Sequence, residues 1–321
     1  MSNLNWTRKH IVDIESLSVE EILTIMETTD SFFNLLQQPV SKVPLLEGKV
    51  VLLLFYENST RTSCSFELAA KNLGAEVVKI SVATSAVKKG ETLADTVDNL
   101  VAMGTDAVVI RHSASGIHHQ LIRALRKEIT VMNAGDGNHE HPSQALLDFH
   151  TMRRYLGDIK DKKITIAGDI LHSRVARSNI HLLNKFGADV HVVGPSTLLP
   201  MGIEEMGVTR HYCLDEAIKD SDLIMMLRIQ LERQKGGIFP SIGEYNKLWG
   251  LTDLKIKKNA KPGCYIMHPG PMNRGVEIAS DVADNPEYSI ILDQVTSGVA
   301  VRMALLSLTL TGGGLVHEHA A

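Results

Sequence analysis

The chain has 321 residues, enough for two domains, and its 44% hydrophobic and 22% charged content is that of a soluble globular protein. A net charge of −4 excludes the basic field of a nucleic-acid-binding protein and a polybasic membrane patch. The three cysteines lie far apart, which excludes a disulfide framework and a paired-cysteine metal site.

Nothing in the sequence predicts export or membrane insertion. The first ten residues, MSNLNWTRKH, lack the apolar core of a signal peptide. No apolar run approaches the roughly 20 residues that cross a bilayer. Because few, scattered cysteines are typical of a reducing compartment, we expect a cytoplasmic protein.

Short apolar runs alternate with longer amphipathic segments along the chain. The runs are β-branched and continuous, as expected for strands buried on both faces. The predicted strands are 49–55, 75–80, 106–111, 129–134, 162–168, 189–194, 222–227 and 263–268. The predicted helices are 63–73, 91–103, 116–127, 142–156, 173–186 and an apolar last helix at 296–312. Because the alternation occurs twice, we expect an α/β fold of two doubly wound domains, each a mainly parallel sheet flanked by helices.

Polar clusters follow six of the predicted strands, and ligands bind beyond the carboxyl ends of strands in open parallel sheets. The clusters are YENSTRT (56–62), RH (111–112), GDGNHEHPSQ (135–144), GDILHSR (168–174), RIQLER (228–233) and HPGPMNRGVE (268–277). One such cluster would be an ordinary solvated loop. Six of them, from two domains, predict an active site in the cleft between the domains.

Arginines are frequent in these clusters although the protein is acidic overall. They are Arg61, Arg111, Arg174 and Arg228, with Arg233 and Arg274 as further candidates. Because arginine binds phosphate and carboxylate through a fixed fork of donors, they predict a substrate with several negative charges. Ser59 to Thr62 lie just before the predicted helix at 63–73, where backbone N–H groups favour an anion. A phosphate cradle is one interpretation of these hydroxyls, and an ordinary helix N-cap is the other.

Other chemistries find little support in the residue spacing. The sequence has no GxxxxGK[ST] loop, and GDILHSR lacks the further glycines of a dinucleotide fingerprint, so neither ATP nor NAD is predicted. The HEH stretch at 139–141 has no third ligand nearby, so no metal and no cofactor are predicted. Taken alone, His141 is better explained as a satisfied loop histidine than as a functional residue.

Four motifs give the chain a resemblance to the transcarbamoylases. They are FYENSTRTSCSFE (55–67), KKGETLADT (88–96), HPSQALLD (141–148) and HPGPMNRGVEI (268–278). Their order and spacing are those of the family, and the resemblance spans roughly residues 8–310. STRT and HPSQ are similar to carbamoyl phosphate users generally. RIQLER and HPGPMNRGVEI resemble the aspartate branch, whereas the HCLP and SMG motifs of the ornithine branch do not occur.

The resemblance implies a reaction and assigns one substrate to each domain. The carbamoyl group of carbamoyl phosphate would pass to the amine of L-aspartate, giving N-carbamoyl-L-aspartate and phosphate for pyrimidine biosynthesis. Residues 1–148 with the last helix, 292–312, would bind carbamoyl phosphate, and residues 149–291 would bind aspartate. A transcarbamoylase for ornithine or another amine and a catalytically silent scaffold homologue are the alternatives. A silent homologue is expected to lose motif residues that this chain retains.

The resemblance also implies which residues bind each substrate. Carbamoyl phosphate would be held by Ser59, Thr60, Arg61, Thr62, Ser85, Arg111, His141, Gln144, Gly270 and Pro271. The residues implied in catalysis are Arg61, Thr62, Lys89, Arg111 and His141. Aspartate would be bound by Lys89, Arg174, Arg228 and Gln230. Domain closure would involve Glu57 with Arg174 and Arg233.

Within that set, Thr62, Arg111 and His141 would contact the carbonyl oxygen, and Gln144 would contact the carbamoyl amide. Ser85 and Lys89 would come from a neighbouring subunit, since a homotrimer completes each site in this family. Further assembly with regulatory chains or with dihydroorotase is left open, and no nucleic-acid or membrane partner is expected. At Ser63 many relatives carry a second arginine, so this chain has less charge in the predicted first helical turn.

Overall fold

The computed structural model describes residues 6–39, 42–81, 91–229 and 241–312. The chain packs as two compact units: unit 1 is Met1–His150 with Thr296–Ala321, and unit 2 is Thr151–Val295. These units are defined by packing alone. The division by substrate that the resemblance implies stays a prediction.

Unit 1 is built on a four-stranded parallel sheet. Its strands are β1 (Val50–Phe55), β2 (Glu76–Ser81), β3 (Ala107–His112) and β4 (Thr130–Asp136), in the order β2-β1-β3-β4. Leu52 and Val108, from neighbouring strands, belong to one buried apolar cluster. The chain leaves β1 toward one edge of the sheet and returns to the other side at β3. The ends of β1 and β3 therefore flank the switch point where such sheets bind ligands.

Helices precede and follow these strands along the chain. They are α1 (Val19–Leu36), α2 (Thr60–Asn72), α3 (Leu93–Ala102), α4 (Ile117–Ala124) and α5 (Pro142–Leu156), the last of which continues into unit 2. Helix α1 is absent from the sequence-based prediction. A capping box marks its start, since Ser18 accepts a hydrogen bond from the Glu21 backbone and the Glu21 side chain accepts one from Ser18 N.

Unit 2 has a five-stranded parallel sheet. Its strands are β5 (Lys163–Ala167), β6 (Asp189–Val193), β7 (Thr209–His211), β8 (Leu223–Met226) and β9 (Tyr265–Met267), in the order β7-β6-β5-β8-β9. Its helices are α6 (Arg174–Lys185), α7 (Leu214–Ala217), α8 (Ile242–Trp249), α9 (Asp253–Asn259) and α10 (Ser280–Asp284). Here the switch point lies between β5 and β8, because the chain runs from β5 toward β7 before returning to β8.

The last helix, α11 (Ile291–Thr311), begins five residues earlier than predicted. By length and composition it is apolar enough to cross a membrane, so the expectation that no segment reaches that length is wrong. However, 72% of its most apolar window is buried inside the protein, as in the core helix of a globular fold. Val301, Ala304 and Leu305 are among its buried residues.

Candidate functional site

The switch point of unit 1 brings the ends of β1 and β3 together. Phe55 pairs with Arg111 in the parallel register, and the Tyr56 N–H donates to the Arg111 carbonyl at 2.8 Å. The two motifs that follow these strands therefore begin side by side. The sequence predicts that STRT and Arg111 lie close together at the carboxyl ends of the strands. This pairing places the two strand ends side by side.

The STRT motif forms the start of α2 rather than the loop before it. The helix begins at Thr60, three residues earlier than predicted, and Ser59 is the N-cap residue without a side-chain capping hydrogen bond. The first turn of a helix carries N–H groups that have no intrahelical partner, and the dipole there favours an anion. Thr62 is buried and Arg61 is exposed, so this turn presents a cation beside helix N–H groups. The arrangement suits a phosphate better than a simple cap, because the Ser59 hydroxyl is not used for capping.

Arg111 is the second cation at this edge of the sheet. Its Nη1 donates to the Ala134 carbonyl of β4 at 3.1 Å, and its Nε lies 3.5 Å from Glu57 Oε2. Glu57 thus faces an arginine of its own unit. The pairing of Glu57 with Arg174 and Arg233 in domain closure stays a prediction.

The HPSQ motif forms the start of α5. The His141 carbonyl accepts hydrogen bonds from the backbone N–H groups of Gln144 and Ala145, at 2.9 and 3.2 Å, and the His141 side chain is buried. The Gln144 side chain donates from Nε2 to Asp148 Oδ1 at 2.9 Å. His141 therefore directly precedes the helix that follows β4, and Gln144 lies in its first turn.

Asp136, which sequence reasoning missed, organises the loop before α5. Its carboxylate accepts from Gly116 N at 2.7 Å and from Glu140 N at 3.1 Å, and it contacts His139 Nδ1 at 3.1 Å. Burial alone would raise the pKa of Asp136, but hydrogen bonds from His118 and His139 hold it well below its usual range. The same contact raises the pKa of His139. The GDG stretch directly after a strand was the available signal.

In unit 2, the switch point joins the ends of β5 and β8. Leu227 N donates to the Ala167 carbonyl at 2.7 Å, and Gly168 adopts φ +134° directly after β5. A Cβ atom on Gly168 would lie 2.6 Å from the Leu227 carbonyl oxygen. Only glycine permits this approach, so Gly168 keeps the two following loops adjacent.

These two loops carry the predicted aspartate-binding arginines. Arg174 is the first residue of α6 and is 95% buried, and the preceding Ser173 accepts a capping hydrogen bond from Ala176 N at 3.1 Å. Arg228 is half-buried and follows β8 by two residues. Two guanidinium groups on adjacent strand ends are suited to a dicarboxylate.

The HPGPMNRGVE motif is closed by a buried pair. His268 Nε2 lies 3.1 Å from Glu277 Oε1, and both side chains have no exposed surface. Gly270 N donates to His268 Nδ1 at 2.8 Å, so Nδ1 is the acceptor nitrogen and Nε2–H donates to Glu277. Asn273 N also donates to Glu277 Oε1. These bonds fix the Gly270–Pro271 loop, and sequence reasoning assigned no role to His268 or Glu277.

Ser85, Lys89, Gln230 and Arg233 lie outside the described residues. Arg274 forms an exposed ion pair with Asp284, with Nη1 to Oδ2 at 2.6 Å and Nη2 to Oδ1 at 2.7 Å. Its forked donors are thus engaged within unit 2. Within the described ranges, no three His, Cys, Asp or Glu side chains are arranged as metal ligands.

Comparison with known families covers both units. The sequence model of the aspartate/ornithine carbamoyltransferase carbamoyl-P binding domain matches residues 9–154. The model of the Asp/Orn binding domain of the same family matches residues 160–309. Together the two matches include every predicted site residue.

Individual relatives agree with the family match. The aspartate carbamoyltransferase catalytic subunit of Moorella thermoacetica is 55% identical over 95% of this chain and 98% of its own. Among solved structures, aspartate transcarbamoylase from Trypanosoma cruzi in complex with N-(phosphonacetyl)-L-aspartic acid has a TM-score of 0.85 at 29% identity, covering 95% of this chain and 97% of its own. Ornithine carbamoyltransferase from Pyrococcus furiosus has a TM-score of 0.82 at 28% identity, covering 96% and 99%. The chain therefore belongs to the aspartate/ornithine carbamoyltransferase family.

Proposed function

We propose that the chain transfers the carbamoyl group of carbamoyl phosphate to the amine of L-aspartate, giving N-carbamoyl-L-aspartate and phosphate. The observation that carries this proposal is the position of the arginines. Each unit places arginine side chains at the switch point of its own parallel sheet. In unit 1 they accompany a helix N-terminus suited to phosphate, and in unit 2 they follow the neighbouring strands β5 and β8. The relative at 55% identity bears the name of this activity.

In the proposed complex, unit 1 binds carbamoyl phosphate. The phosphate is held by the first turn of α2, with Arg61 and the hydroxyls of Ser59, Thr60 and Thr62. The carbonyl oxygen is held by Thr62, Arg111 and His141, and the carbamoyl NH₂ group faces Gln144. These roles come from the family motifs, and the observed helix starts support them because each motif spans the start of a helix.

The chemistry then follows from where charge develops. The aspartate amine attacks the carbonyl carbon, a carbon–nitrogen bond forms, and the carbon–oxygen bond to phosphate breaks. Negative charge builds first on the carbonyl oxygen and then on the departing phosphate. Donors fixed at both positions stabilise that charge, and removing one such donor typically costs about 100- to 1000-fold in rate. In our proposal the departing phosphate accepts the amine proton, and no covalent enzyme intermediate forms.

Unit 2 binds L-aspartate in this proposal. Arg174 and Arg228 receive its two carboxylates, and Lys89 and Gln230 complete the set. The buried position of Arg174 supports the assignment, because a desolvated guanidinium binds a carboxylate more strongly than an exposed one. Fixing both anionic substrates in attack geometry supplies much of the remaining acceleration.

A donor and acceptor assay tests the function directly. Purified protein is incubated with carbamoyl phosphate and either L-aspartate or L-ornithine, and carbamoylated product and phosphate are measured. We expect N-carbamoyl-L-aspartate and equimolar phosphate. Transfer to ornithine alone would replace the proposed acceptor, and no transfer to either amine would favour a silent homologue.

We also propose a homotrimer in which Ser85 and Lys89 complete a neighbour's site. Strand β2 forms an edge of the unit 1 sheet. Val78 on this strand is 45% exposed, and Leu68 on α2 is 52% exposed. An open strand edge with exposed apolar side chains is typical of a protein contact surface. Light scattering should give three times the mass of the 35.2 kDa chain. Mixing inactive Lys89→Ala and Arg111→Ala proteins under subunit exchange should restore activity.

We propose a cytoplasmic location, since the scattered free cysteines suit a reducing compartment. Cell fractionation with an antibody against the chain tests this, and recovery with a membrane or exported fraction would contradict it.

A further inference from the structure

Arg302 is a buried cation in contact with the two helices of unit 1 that begin within the STRT and HPSQ motifs, α2 and α5. Arg302 of α11 is 97% buried, and its Nη1 donates to Ser65 Oγ and to the Gly298 carbonyl, each at 3.0 Å. Its guanidinium also lies 5.0 Å from the centre of the Phe66 ring. Burial lowers the pKa of Arg302 to about 10, and nearby Asp148 raises it. The group is therefore charged at neutral pH, with Asp148 as its anionic neighbour.

The same guanidinium reaches both motif helices. Ser65 lies in the second turn of α2, whose first turn is STRT. On the other side, Arg302 Nη2 lies 3.4 Å from Ser143 Oγ in the first turn of α5. One cation thus contacts the two helices whose first turns make up the candidate carbamoyl phosphate site.

Asp148 is hydrogen-bonded to the side chain of Gln144. Its Oδ1 accepts the 2.9 Å hydrogen bond from Gln144 Nε2, and it has no exposed surface, whereas Gln144 retains 9% exposure. An ionised carboxylate can only accept hydrogen bonds. The NH₂ end of the Gln144 amide must therefore face Asp148, and the carbonyl oxygen Oε1 occupies the opposite corner of the amide.

We propose that Asp148, with the buried Arg302 guanidinium nearby, holds the Gln144 amide so that its carbonyl oxygen, and not its NH₂ group, meets the NH₂ of the carbamoyl group. Arg302 and Asp148 are then positioning residues that set donor specificity. The inference rests on the proposed function. It adds that the site discriminates carbamoyl phosphate from acyl phosphates without an NH₂ group.

Acetyl phosphate shows the basis of this discrimination. It carries the same phosphate and carbonyl oxygen but has a methyl group where carbamoyl phosphate has NH₂. With carbamoyl phosphate, Gln144 Oε1 accepts a hydrogen bond. With acetyl phosphate the same oxygen is desolvated without a donor, which is the situation that specific sites use to reject analogues.

The test is the Asp148→Asn variant, which is nearly isosteric. The new amide can donate to Gln144 Oε1, so the Gln144 amide is free to turn its NH₂ toward the substrate. We expect kcat/KM for carbamoyl phosphate to fall about 10- to 100-fold, the range for a lost hydrogen bond that leaves a buried group unpaired. The inhibition constants of inorganic phosphate and of acetyl phosphate should stay unchanged, because the phosphate group is held by α2 and a methyl group pairs with neither end of the Gln144 amide.

Two controls separate orientation from structural damage. Asp148→Glu keeps a charged acceptor, so it should retain most of the preference for carbamoyl over acetyl phosphate. In a Gln144→Ala background, Asp148→Asn should cause no further loss of preference. If Asp148→Asn does not fold, Asp148→Ser is used, since serine is small and also able to donate.

The outcomes of these experiments distinguish the positioning role of Arg302 and Asp148 from the proposed carbamoyl transfer itself. An inactive wild-type protein contradicts the proposed function itself. An active wild type whose Asp148→Asn variant keeps its preference, or loses phosphate and acetyl phosphate binding in parallel, overturns the positioning role alone.

Discussion

His268 and Glu277 form a buried pair that closes the HPGPMNRGVE motif, with Nε2 and Oε1 3.1 Å apart and neither side chain exposed. The two residues are nine positions apart and enclose the Gly270–Pro271 loop, in which Gly270 N donates to His268. Removing one partner of such a pair leaves the other buried without its hydrogen bond. That loss costs more than the intact pair contributes.

Replacing Glu277 by leucine should therefore destabilise unit 2. The His268 Nε2–H and Asn273 N–H groups would both lose their acceptor. We expect the free energy of unfolding to fall by about 1–3 kcal/mol for each buried donor left unpaired. Urea denaturation followed by circular dichroism measures this change.

Asp284→Asn is the matched control for this prediction. It removes an ion pair with Arg274 that belongs to the same motif but is exposed, with 42% and 65% side-chain exposure. We expect no measurable change in unfolding midpoint, because exposed pairs contribute little. Equal losses in the two variants would show that burial of the His268–Glu277 pair is unimportant.

The Asp136–His139 contact predicts a pH-dependent stability. Asp136 has a depressed pKa in the folded state, so its contribution is present above its ordinary value of 3.8 and is lost as the pH falls through the folded value. His139 has a raised pKa, so its contribution is complete below 6.5 and is lost as the pH rises through the folded value. The contact should stabilise the fold most between those two ordinary values.

Asp136→Asn tests this window. We expect its deficit in unfolding free energy to be largest near pH 5 and to shrink above pH 7, with a size of about 1–3 kcal/mol at the maximum. In the wild type, the NMR titration of His139 should give a pKa above 6.5, and the variant should bring it back toward that value. A deficit that is constant from pH 5 to pH 8 would contradict the pairing.

The strand pattern was predictable because the strands are buried on both faces. All eight predicted strands are present within two residues of their expected ends. The missed strand, β7, has three residues at the edge of its sheet, too few for a pattern. Helix α1 is absent from the prediction although the Ser18–Glu21 capping box marks its start in the sequence.

The site was predictable where polar residues follow a strand, and less so where side chains from distant segments meet. STRT and HPSQ could be placed at sheet edges from their position after apolar runs. The start of α2 at Thr60 was misplaced, since polar residues give no apolar period at a helix end. The contacts of Arg302 with Ser65 and Ser143 join segments more than 150 residues apart, and no local pattern encodes them.

Arg61→Ala tests the phosphate cradle. Arg61 is exposed in the first turn of α2, so the substitution should leave the fold intact while removing the charge that binds phosphate. We expect kcat/KM for carbamoyl phosphate to fall about 100- to 1000-fold, as for the loss of one preorganised donor. The inhibition constant of inorganic phosphate should rise in the same variant.

The matched control is Arg126→Ala, which removes an arginine with an 81% exposed side chain outside every motif. Both activity and phosphate inhibition should match the wild type. If the two alanine variants behave alike, Arg61 does not bind the phosphate.

Gly298→Ala tests the packing of α11 against the motif helices. A Cβ atom on Gly298 would lie 2.7 Å from Arg302 Nη1 and 3.2 Å from Leu147 Cδ2, so the guanidinium would have to leave its position. Its hydrogen bonds to Ser65 and to the Gly298 carbonyl would be lost or strained. We expect unfolding free energy to fall by about 1–3 kcal/mol, the usual cost of overpacking.

Gly243→Ala provides the comparison for that substitution. Gly243 lies in α8, where the nearest atom to an added Cβ is Ser241 Oγ at 3.9 Å. This variant should be more stable than the wild type by about 0.4–1 kcal/mol, because alanine restricts the unfolded chain without a clash. Opposite signs for the two variants in thermal unfolding would support close packing around Arg302. A Gly298→Ala protein as stable as the Gly243→Ala protein would mean that Arg302 moves aside freely, and the guanidinium could not then fix Asp148 and Gln144.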